Sequence, residues 1–309
     1  MVFAREHKHF LKDENGAVAI ITAVVLVFVL LGIAALAVDI GRQASAKNEL
    51  QNAVDAAALA GAIELAKDGY ADVETQAVEA AERNIVDNKP PTPSSVDLGY
   101  WSESDFYTDS DTLNAVRVTV NNHGIGSFFA PLFGMSQSVS ATATAVAGPA
   151  GAVERLIPIY ITEDVAEESD EEMIYKKFGS DDPAGNWGLT SFFETGVSGH
   201  GEWFEDGYPE LVSIEDDINV QTGTGGVQAH RSEVKALEGE TVIVPVVEEL
   251  DEEGHQQSEV VGFRAVEIIS VDVSGAGSEI VVSYEEEIVP GELDFGAGDF
   301  GVRTIALVE

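Results

Sequence analysis

The chain has 309 residues and a formal net charge of −39, from 55 acidic and 16 basic residues. A field of this sign repels nucleic acid and anionic lipid headgroups, so we exclude nucleic-acid binding. The absence of cysteine excludes disulfides and thiolate metal sites, and a hydrophobic content of 45% is too high for a disordered chain. The strongly acidic C-terminal half is therefore expected to fold, with a negative surface that suits either a high-salt habitat or an extracellular location.

An uncharged segment near the N-terminus is the clearest feature of the chain. Residues 17–38 contain no Asp, Glu, Lys or Arg, and as a helix they would measure about 33 Å, enough to cross the hydrocarbon core of a bilayer. The sequence predicts a cytoplasmic tail over residues 1–15 and a transmembrane helix over residues 16–38. The side chains expected to contact membrane lipid are Ala17, Ile20, Leu26, Phe28, Leu31, Leu36 and Val38.

Cleavage as a secretory signal is the alternative, because basic residues precede the segment and Ala35–Ala37 offers an A-x-A pattern. The apolar run is longer than the roughly 7–15 residues of a signal core, and a helical pattern continues beyond it. We therefore expect an uncleaved, single-pass anchor in the cell (inner or cytoplasmic) membrane. The basic residues are biased toward the N-terminal side, which predicts a cytoplasmic N-terminus and a C-terminal domain in the periplasm or outside the cell.

Residues 39–89 are predicted to form a helical stalk and a second helix. Alanine and leucine dominate up to Lys67, and no proline interrupts them. Small residues recur four apart, as Ala37 and Gly41 and again as Ala53, Ala57 and Gly61, which gives one flat helix face. That face packs either within the chain's own domain or against another protein. Gly69 is the predicted end of the first helix, and the second covers residues 71–88 with an inward face of Val73, Ala77, Ala80, Ala81 and Ile85.

Residues 90–150 are predicted to be a small α+β unit that follows a proline-rich linker. Alternation of apolar and polar residues indicates strands over residues 96–101 and 115–121. Ser127 is the expected N-cap of a short apolar helix over residues 128–133, which Gly134 closes. A strand of small residues over 136–147 completes the unit.

Gly148–Gly151 marks the expected boundary to an acidic, β-rich, extracytoplasmic domain over residues 151–309. Two glycine-rich loops, residues 179–188 and 219–226, and a solvated acidic loop, residues 248–258, are expected within it. The predicted strands cover residues 156–161, 212–214, 241–247, 260–273, 279–289 and 304–308.

No motif in the chain predicts catalysis, a cofactor or a small-molecule substrate. The segment Asp272–Ser278 resembles an Asp-x-Ser-x-Ser metal loop, but its second serine is at the wrong spacing. Asp105, Asp109 and Asp111 lack the glycine and final glutamate of a calcium loop, and the acidic runs 167–172 and 248–253 are expected to be solvated loops. Residues 222–226 lack the lysine of a phosphate loop, and the histidines have no paired spacing. We expect neither a metal site nor enzymatic activity.

Three motifs stand out in the N-terminal region: Gly16-Ala-Val-Ala19, Leu36-Ala-Val-Asp-Ile-Gly-Arg42 and the long run Leu50-Gln-Asn-Ala-Val-Asp-Ala-Ala-Ala-Leu-Ala-Gly-Ala62. Together they resemble TadE/TadG-like proteins of the Flp (Tad) pilus-assembly system. The resemblance weakens beyond Gly151. It implies a membrane-anchored, pilin-like assembly protein whose partners are other pilus-assembly proteins. The candidate helix-packing or assembly residues are Ala37, Asp39, Gly41, Ala53, Asp55, Ala57 and Gly61.

One position departs from the pattern of processed pilins. These have a glutamate five residues after the cleavage-site glycine, and here the fifth residue after Gly16 is Ile21. Cleavage by a prepilin peptidase is therefore not expected, and neither is polymerisation as a major pilin. The main hypothesis is a structural or assembly component of a Tad-type pilus apparatus. The alternatives are a surface adhesin or binding module that shares only the anchor, and a membrane-tethered hydrolase.

Overall fold

The structure is a computed structural model, and it describes residues 14–67, 70–102, 104–110, 112–167, 174–178, 187–194, 201–221, 228–248, 250, 255–274 and 277–308. Several expectations lie outside these residues: the stop at Gly69, most of the loop 179–188, the segment 222–226 and most of both acidic runs. The predicted order of a long apolar N-terminal helix followed by a β-rich C-terminal region is confirmed.

Helix α1 is a single helix of 53 residues, Glu14–Ala66, about 80 Å long. Its first half is exposed on nearly every face, whereas one face of the second half, from Ala46 onward, is buried in the folded domain. Beyond Ala46 the helix therefore lies against a β-sheet and does not stand free of it.

Helix α2, Val73–Glu82, packs against α1 and is shorter than the predicted range of 71–88. Val73, Ala77 and Ala81 are buried as expected, but Ile85 is 58% exposed because the helix has already ended. Asp87 and Asn88 have positive φ angles of 47° and 67°, which a helix cannot accommodate. The predicted inward position of Ile85 was wrong for this reason.

The strands, in chain order, are β1 (Ser95–Ser102), β2 (Asp105–Tyr107), β3 (Ala115–Ile125), β4 (Gln137–Val153), β5 (Ile159–Thr162), β6 (Ile174–Phe178), β7 (Trp187–Phe192), β8 (Val212–Ser213), β9 (Asp217–Gln221), β10 (Thr241–Val247), β11 (His255–Ser274), β12 (Gly277–Glu285), β13 (Glu287–Ile288), β14 (Gly291–Leu293) and β15 (Val302–Leu307).

The first sheet covers the buried face of α1. Its strand order is β13-β15-β4-β3-β1-β2, with β14 and β8 paired to the far end of β4. The contacts between α1 and the sheet come mainly from β4 and β3, which pair antiparallel. Alanine on both partners allows the helix and the sheet to approach closely, and their shared core includes Leu50, Ala57, Val116 and Ala143.

Strand β4 continues through the expected boundary at Gly148–Gly151. Residues 145–149 pair with β15, the last strand of the chain, and residues 150–153 pair with β14 and β8. Gly148 and Gly151 are in close contact with side chains of the 293–295 segment, which leaves no room for a Cβ atom. The glycines that were expected to mark a boundary therefore permit close packing inside a strand.

The second sheet has the order β10-β5-β7-β9-β11-β12-β6, and an additional β10–β11 pairing closes five of its strands into a ring. The 20-residue strand β11 makes this closure possible, because its successive parts pair with β9, β10 and β12. Two apolar clusters cover its faces, one around Leu189 and Ile268 and the other around Tyr160 and Phe263.

The remaining elements complete the order along the chain. The helices are α3 (Glu163–Ala166), α4 (Trp203–Asp206) and α5 (Arg231–Ala236), together with a 3-10 helix (Ala130–Phe133). These short helices lie between the strands in the chain order given above.

Candidate functional site

The exposed half of α1 is the first candidate site. Of the described residues, one helix is long and apolar enough to cross a membrane, and it is this one. Exposing so many apolar side chains to water would cost about 25 cal/mol of free energy per Å² of apolar surface. A bilayer removes that cost. The predicted anchor side chains that the structure describes are all exposed, namely Ile20, Leu26, Phe28, Leu31, Leu36 and Val38, while the side chain of Ala17 lies outside the described part.

Asp39, the first charged residue after this apolar segment, is buried with 3% exposure. Its Oδ1 accepts a hydrogen bond from the backbone N–H of Phe128 at 2.8 Å. Its Oδ2 accepts from the N–H groups of Phe129 and Ala130, both at 3.1 Å. Three N–H groups that begin a helical turn and have no partner within it are thus satisfied by one carboxylate.

This arrangement replaces the predicted N-cap. Ser127 was expected to cap the short helix, but the helix begins after Phe129, and the capping carboxylate comes from Asp39 on α1. The hydrogen bond from Phe128 and those from Phe129 and Ala130 favour the ionised form. They outweigh burial, so the pKa of Asp39 is lowered, with a further contribution from the positive charge of Arg42.

Arg42 lies one turn after Asp39 and ties α1 to two further segments. Its Nε donates to Oδ1 of Asp87 at 2.7 Å, and its guanidinium lies 5.3 Å from the ring centroid of Phe128. Oδ2 of Asp87 accepts from the N–H of Gly126 at 2.5 Å, and the N–H of Asp87 donates to Oε2 of Glu49 at 2.9 Å.

These contacts affect the ionisation of Asp87 and the space around Gly126. Burial by itself would raise its pKa, but the hydrogen bonds from Arg42 and Gly126 reverse the effect, so the pKa is lowered. A Cβ atom on Gly126 would lie 2.7 Å from Nη2 of Arg42, so a larger residue at this position would displace the guanidinium. We refer to Asp39, Arg42, Asp87 and Gly126 as the junction network.

The predicted helix-packing residues fall into two groups in the structure. Ala53, Ala57 and Gly61 are buried in the core between α1, α2 and the first sheet. A Cβ atom at Gly61 would lie 2.9 Å from Cγ1 of Val116 and 3.5 Å from Cβ of Ala77. Within the described residues, this part of the small-residue face therefore packs inside the chain.

The second group lies nearer the membrane. Ala37 and Gly41 are exposed, and a Cβ atom at Gly41 would meet nothing within 4 Å. Asp39 belongs to the junction network and is turned away from this exposed face. Asp55 is half-buried and accepts a hydrogen bond from Nε2 of Gln51 at 2.8 Å, while the same amide also donates to the carbonyl of Thr142.

Sequence reasoning missed Arg42, Asp87 and Gly126 as members of one network. The spacing of Asp39 and Arg42, three residues apart on a helix, placed both on one face. Nothing in the sequence paired that face with Asp87, because 45 residues separate Arg42 from Asp87.

The described residues include neither a cluster of metal ligands nor, inside the second sheet, a cavity of ligand size. Among them no three His, Asp or Glu side chains are placed to hold a metal ion. One cavity inside the second sheet has a volume of about 40 Å³ and is lined by apolar side chains that include Ile159, Val244 and Ile268. Sites for small organic ligands measure roughly 300–1,000 Å³ and carry placed polar groups. This cavity is a packing defect of the core.

Comparison with known proteins shows that the N-terminal region is similar to one family. The Tad family model, described as "Putative Flp pilus-assembly TadE/G-like", matches residues 16–64. No curated protein and no solved structure is similar enough to count as a match. The matched residues span the exposed apolar helix, Asp39 and Arg42 of the junction network, and the small-residue face of α1 as far as Gly61. The similarity to TadE/G-like Flp pilus-assembly proteins therefore covers this part of α1.

Proposed function

We propose that the chain is a single-pass, membrane-anchored, pilin-like component of a Tad-type (Flp) pilus apparatus and that it acts through protein–protein interaction. In this proposal residues 1–15 are cytoplasmic, and the acidic C-terminal domain is periplasmic or extracellular. The protein has no enzymatic role, and it contacts membrane lipid and other pilus-assembly proteins.

The observation that carries the proposal is the coincidence of the family match with the exposed part of α1. Residues 16–64 contain both the apolar segment and the exposed small residues Ala37 and Gly41. In a bilayer, small residues four apart let two helices approach closely, and apolar side chains alone give no preference for protein over lipid. The buried residues Ala53, Ala57 and Gly61 are already used by the chain's own core. The free positions for a partner helix are therefore Ala37 and Gly41.

The experiment compares Gly41→Ile with Gln43→Ile. Both residues are exposed on α1, on different faces, and both variants add the same side chain. Open space around Gly41 means that isoleucine there does not disturb the fold. The tagged full-length chain is extracted in mild detergent from cells that make the pilus apparatus, and co-purifying proteins are identified by mass spectrometry.

We expect the wild type and Gln43→Ile to co-purify with pilus-assembly proteins, and Gly41→Ile to lose them. Recovery of all partners by Gly41→Ile would remove Gly41 from the interface. If the wild type recovers no pilus-assembly protein at all, the pilus role itself is refuted, and the adhesin alternative gains support.

A further inference from the structure

The contacts along α1 show which end of the folded domain lies nearest the apolar helix. Asp39 bonds to residues 128–130, Gln51 to Thr142, and Gly61 faces Val116, while the carbonyl of Ala66 accepts from Arg303. The loop between β3 and β4, residues 126–136, is therefore at the level of Asp39. The C-terminal strand is about 40 Å farther along the helix axis.

This loop exposes large apolar side chains at its tip. Phe128 is 63% exposed, Phe129 38% and Met135 58%. On α1, Leu36, Val38 and Ile40 at the same level are also 50% exposed or more. The loop and the end of the apolar helix thus both present apolar surface at this level; the Arg42 guanidinium lies against one face of the Phe128 ring, and these side chains otherwise remain exposed.

The charge distribution favours lipid as the occupant of this surface. Residues 118–153 contain no Asp, Glu, Lys or Arg, in a chain whose charged content is 23% and whose net charge is −39. An acidic surface is repelled by anionic headgroups. The part of this uncharged stretch that lies beside the anchor is the loop of residues 126–136, which the junction network holds there.

We propose that residues 127–135 form a second membrane contact, with Phe128, Phe129 and Met135 inserted at the boundary between headgroups and acyl chains. Aromatic and apolar side chains are favoured at that depth. The hydrogen bonds from Phe128, Phe129 and Ala130 to Asp39 fix the loop to α1, so the loop and the helix together set the tilt of the domain on the bilayer. The proposal rests on membrane anchoring by residues 17–38.

The test measures membrane depth at single sites by spin labelling. The chain has no cysteine, so a single introduced cysteine is labelled without background. Full-length Phe128→Cys and Met135→Cys are labelled with a nitroxide in vesicles of phosphatidylcholine and phosphatidylglycerol. Accessibility to oxygen, which concentrates in lipid, is compared with accessibility to a water-soluble nickel chelate. Phe28→Cys in the apolar helix is the lipid reference, and Tyr70→Cys beyond the far end of α1 is the water reference.

We expect the labels at Phe128 and Met135 to lose nickel accessibility relative to the label at Tyr70 and to gain oxygen accessibility, at a depth shallower than Phe28. If both loop labels match Tyr70 while Phe28 reports lipid, the loop proposal is overturned and the apolar tip is left for a protein partner. If Phe28 also reports water, membrane anchoring fails, and this proposal fails with it. The two loop positions guard against local disturbance, because the Met135 N–H donates to the carbonyl of Ala130, whereas the Phe128 N–H donates to Asp39 of the junction network.

Discussion

Gly61 and Gly41 belong to the same pattern of small residues but lie in different surroundings. Small residues four apart are typical of contacts between proteins in a membrane and also of tight packing within a domain. In the structure Val116 and Ala77 leave no room for a side chain at Gly61, whereas Gly41 faces open space. The same spacing therefore serves the fold at one position and is left free at the other.

We predict that Gly61→Ile destabilises the folded domain, because its side chain would overlap Val116. Forcing extra methylenes into a packed core costs about 1–3 kcal/mol. The measurement is the thermal unfolding midpoint of the detergent-solubilised full-length protein. Gly41→Ile is the matched control and should leave the midpoint unchanged. Equal midpoints for Gly61→Ile and wild type would contradict the packing described here.

Asp39 is the residue that connects the anchor to the domain, and its ionisation carries a pH dependence. The pKa values of Asp39 and Asp87 are both lowered from the ordinary value of 3.8. A carboxyl group whose pKa is lower in the folded chain stabilises the fold when ionised. Its contribution is complete above the unfolded pKa, and it is lost as the pH falls from about 4 through the folded pKa.

We predict that Asp39→Asn lowers the unfolding midpoint at neutral pH and makes the midpoint less sensitive to pH below about 4, where wild type loses the contribution of this carboxylate. The amide keeps the shape of the side chain but accepts hydrogen bonds more weakly than a carboxylate. Asp105→Asn, on an exposed strand position, is the control. An acid profile of Asp39→Asn that parallels wild type would rule out the role assigned to Asp39.

At the scale of elements, α1 combines two environments in one continuous helix. The apolar half follows the periodicity of neither a core helix nor a surface helix, because every face is apolar. The second half is amphipathic and buries its alanine-rich face on β3 and β4. No proline lies between the two halves, so the helix continues from one environment to the other.

We predict that this helix remains uncleaved in the mature protein. Ile21 stands where a processed pilin has glutamate, and the helix continues past Ala37 without an extended segment for a signal peptidase to bind. Intact-mass analysis of the membrane-extracted protein should give a mass that includes Phe10. A mature N-terminus at Ala17 or Val38 would contradict this expectation.

At the scale of the whole molecule, the C-terminal strand joins the sheet formed by residues before 154. β15 pairs with β4, and Nη1 of Arg303 donates to the carbonyl of Ala66 at 2.9 Å, which joins the end of the chain to the last turn of α1. Residues 151–309, expected from the sequence to be a domain, contribute strands to both sheets. The domain boundary at residue 150 remains a prediction, and the pairing of β15 with β4 crosses it.

We predict that a chain ending at Gly301 loses stability throughout the first sheet. Removing β15 exposes the edge of β4 and takes away the buried side chains of Val302 and Thr304. Limited proteolysis should cut the truncated protein at concentrations of protease that leave wild type intact. Leu307→Ser, which changes an exposed side chain of the same strand, is the control. Equal protease resistance of the truncated and full-length chains would show that β15 is dispensable.

We also predict that everything beyond Asp39 lies outside the cytoplasm. Tyr70→Cys and Tyr107→Cys place thiols at exposed positions of a cysteine-free chain. Both should react with a membrane-impermeant thiol reagent in intact cells, after the outer membrane is opened if one is present. Phe10→Cys in the N-terminal tail should react only after lysis. The reverse pattern would invert the topology and contradict the charge bias that motivates it.

The features that depend on local composition could be predicted from the sequence alone. Residues 17–38 are uncharged and long enough for a membrane helix, no proline interrupts the helix after them, and alternation marks strands such as residues 115–121. Local periodicity reports which face of an element is apolar, and so these elements were predictable. The tertiary structure decided what each apolar or small face contacts. The cap from Asp39 to residues 128–130, the pairing of Arg42 with Asp87, and the return of β15 to β4 join residues 45 to 162 positions apart, and no local pattern encodes such partners.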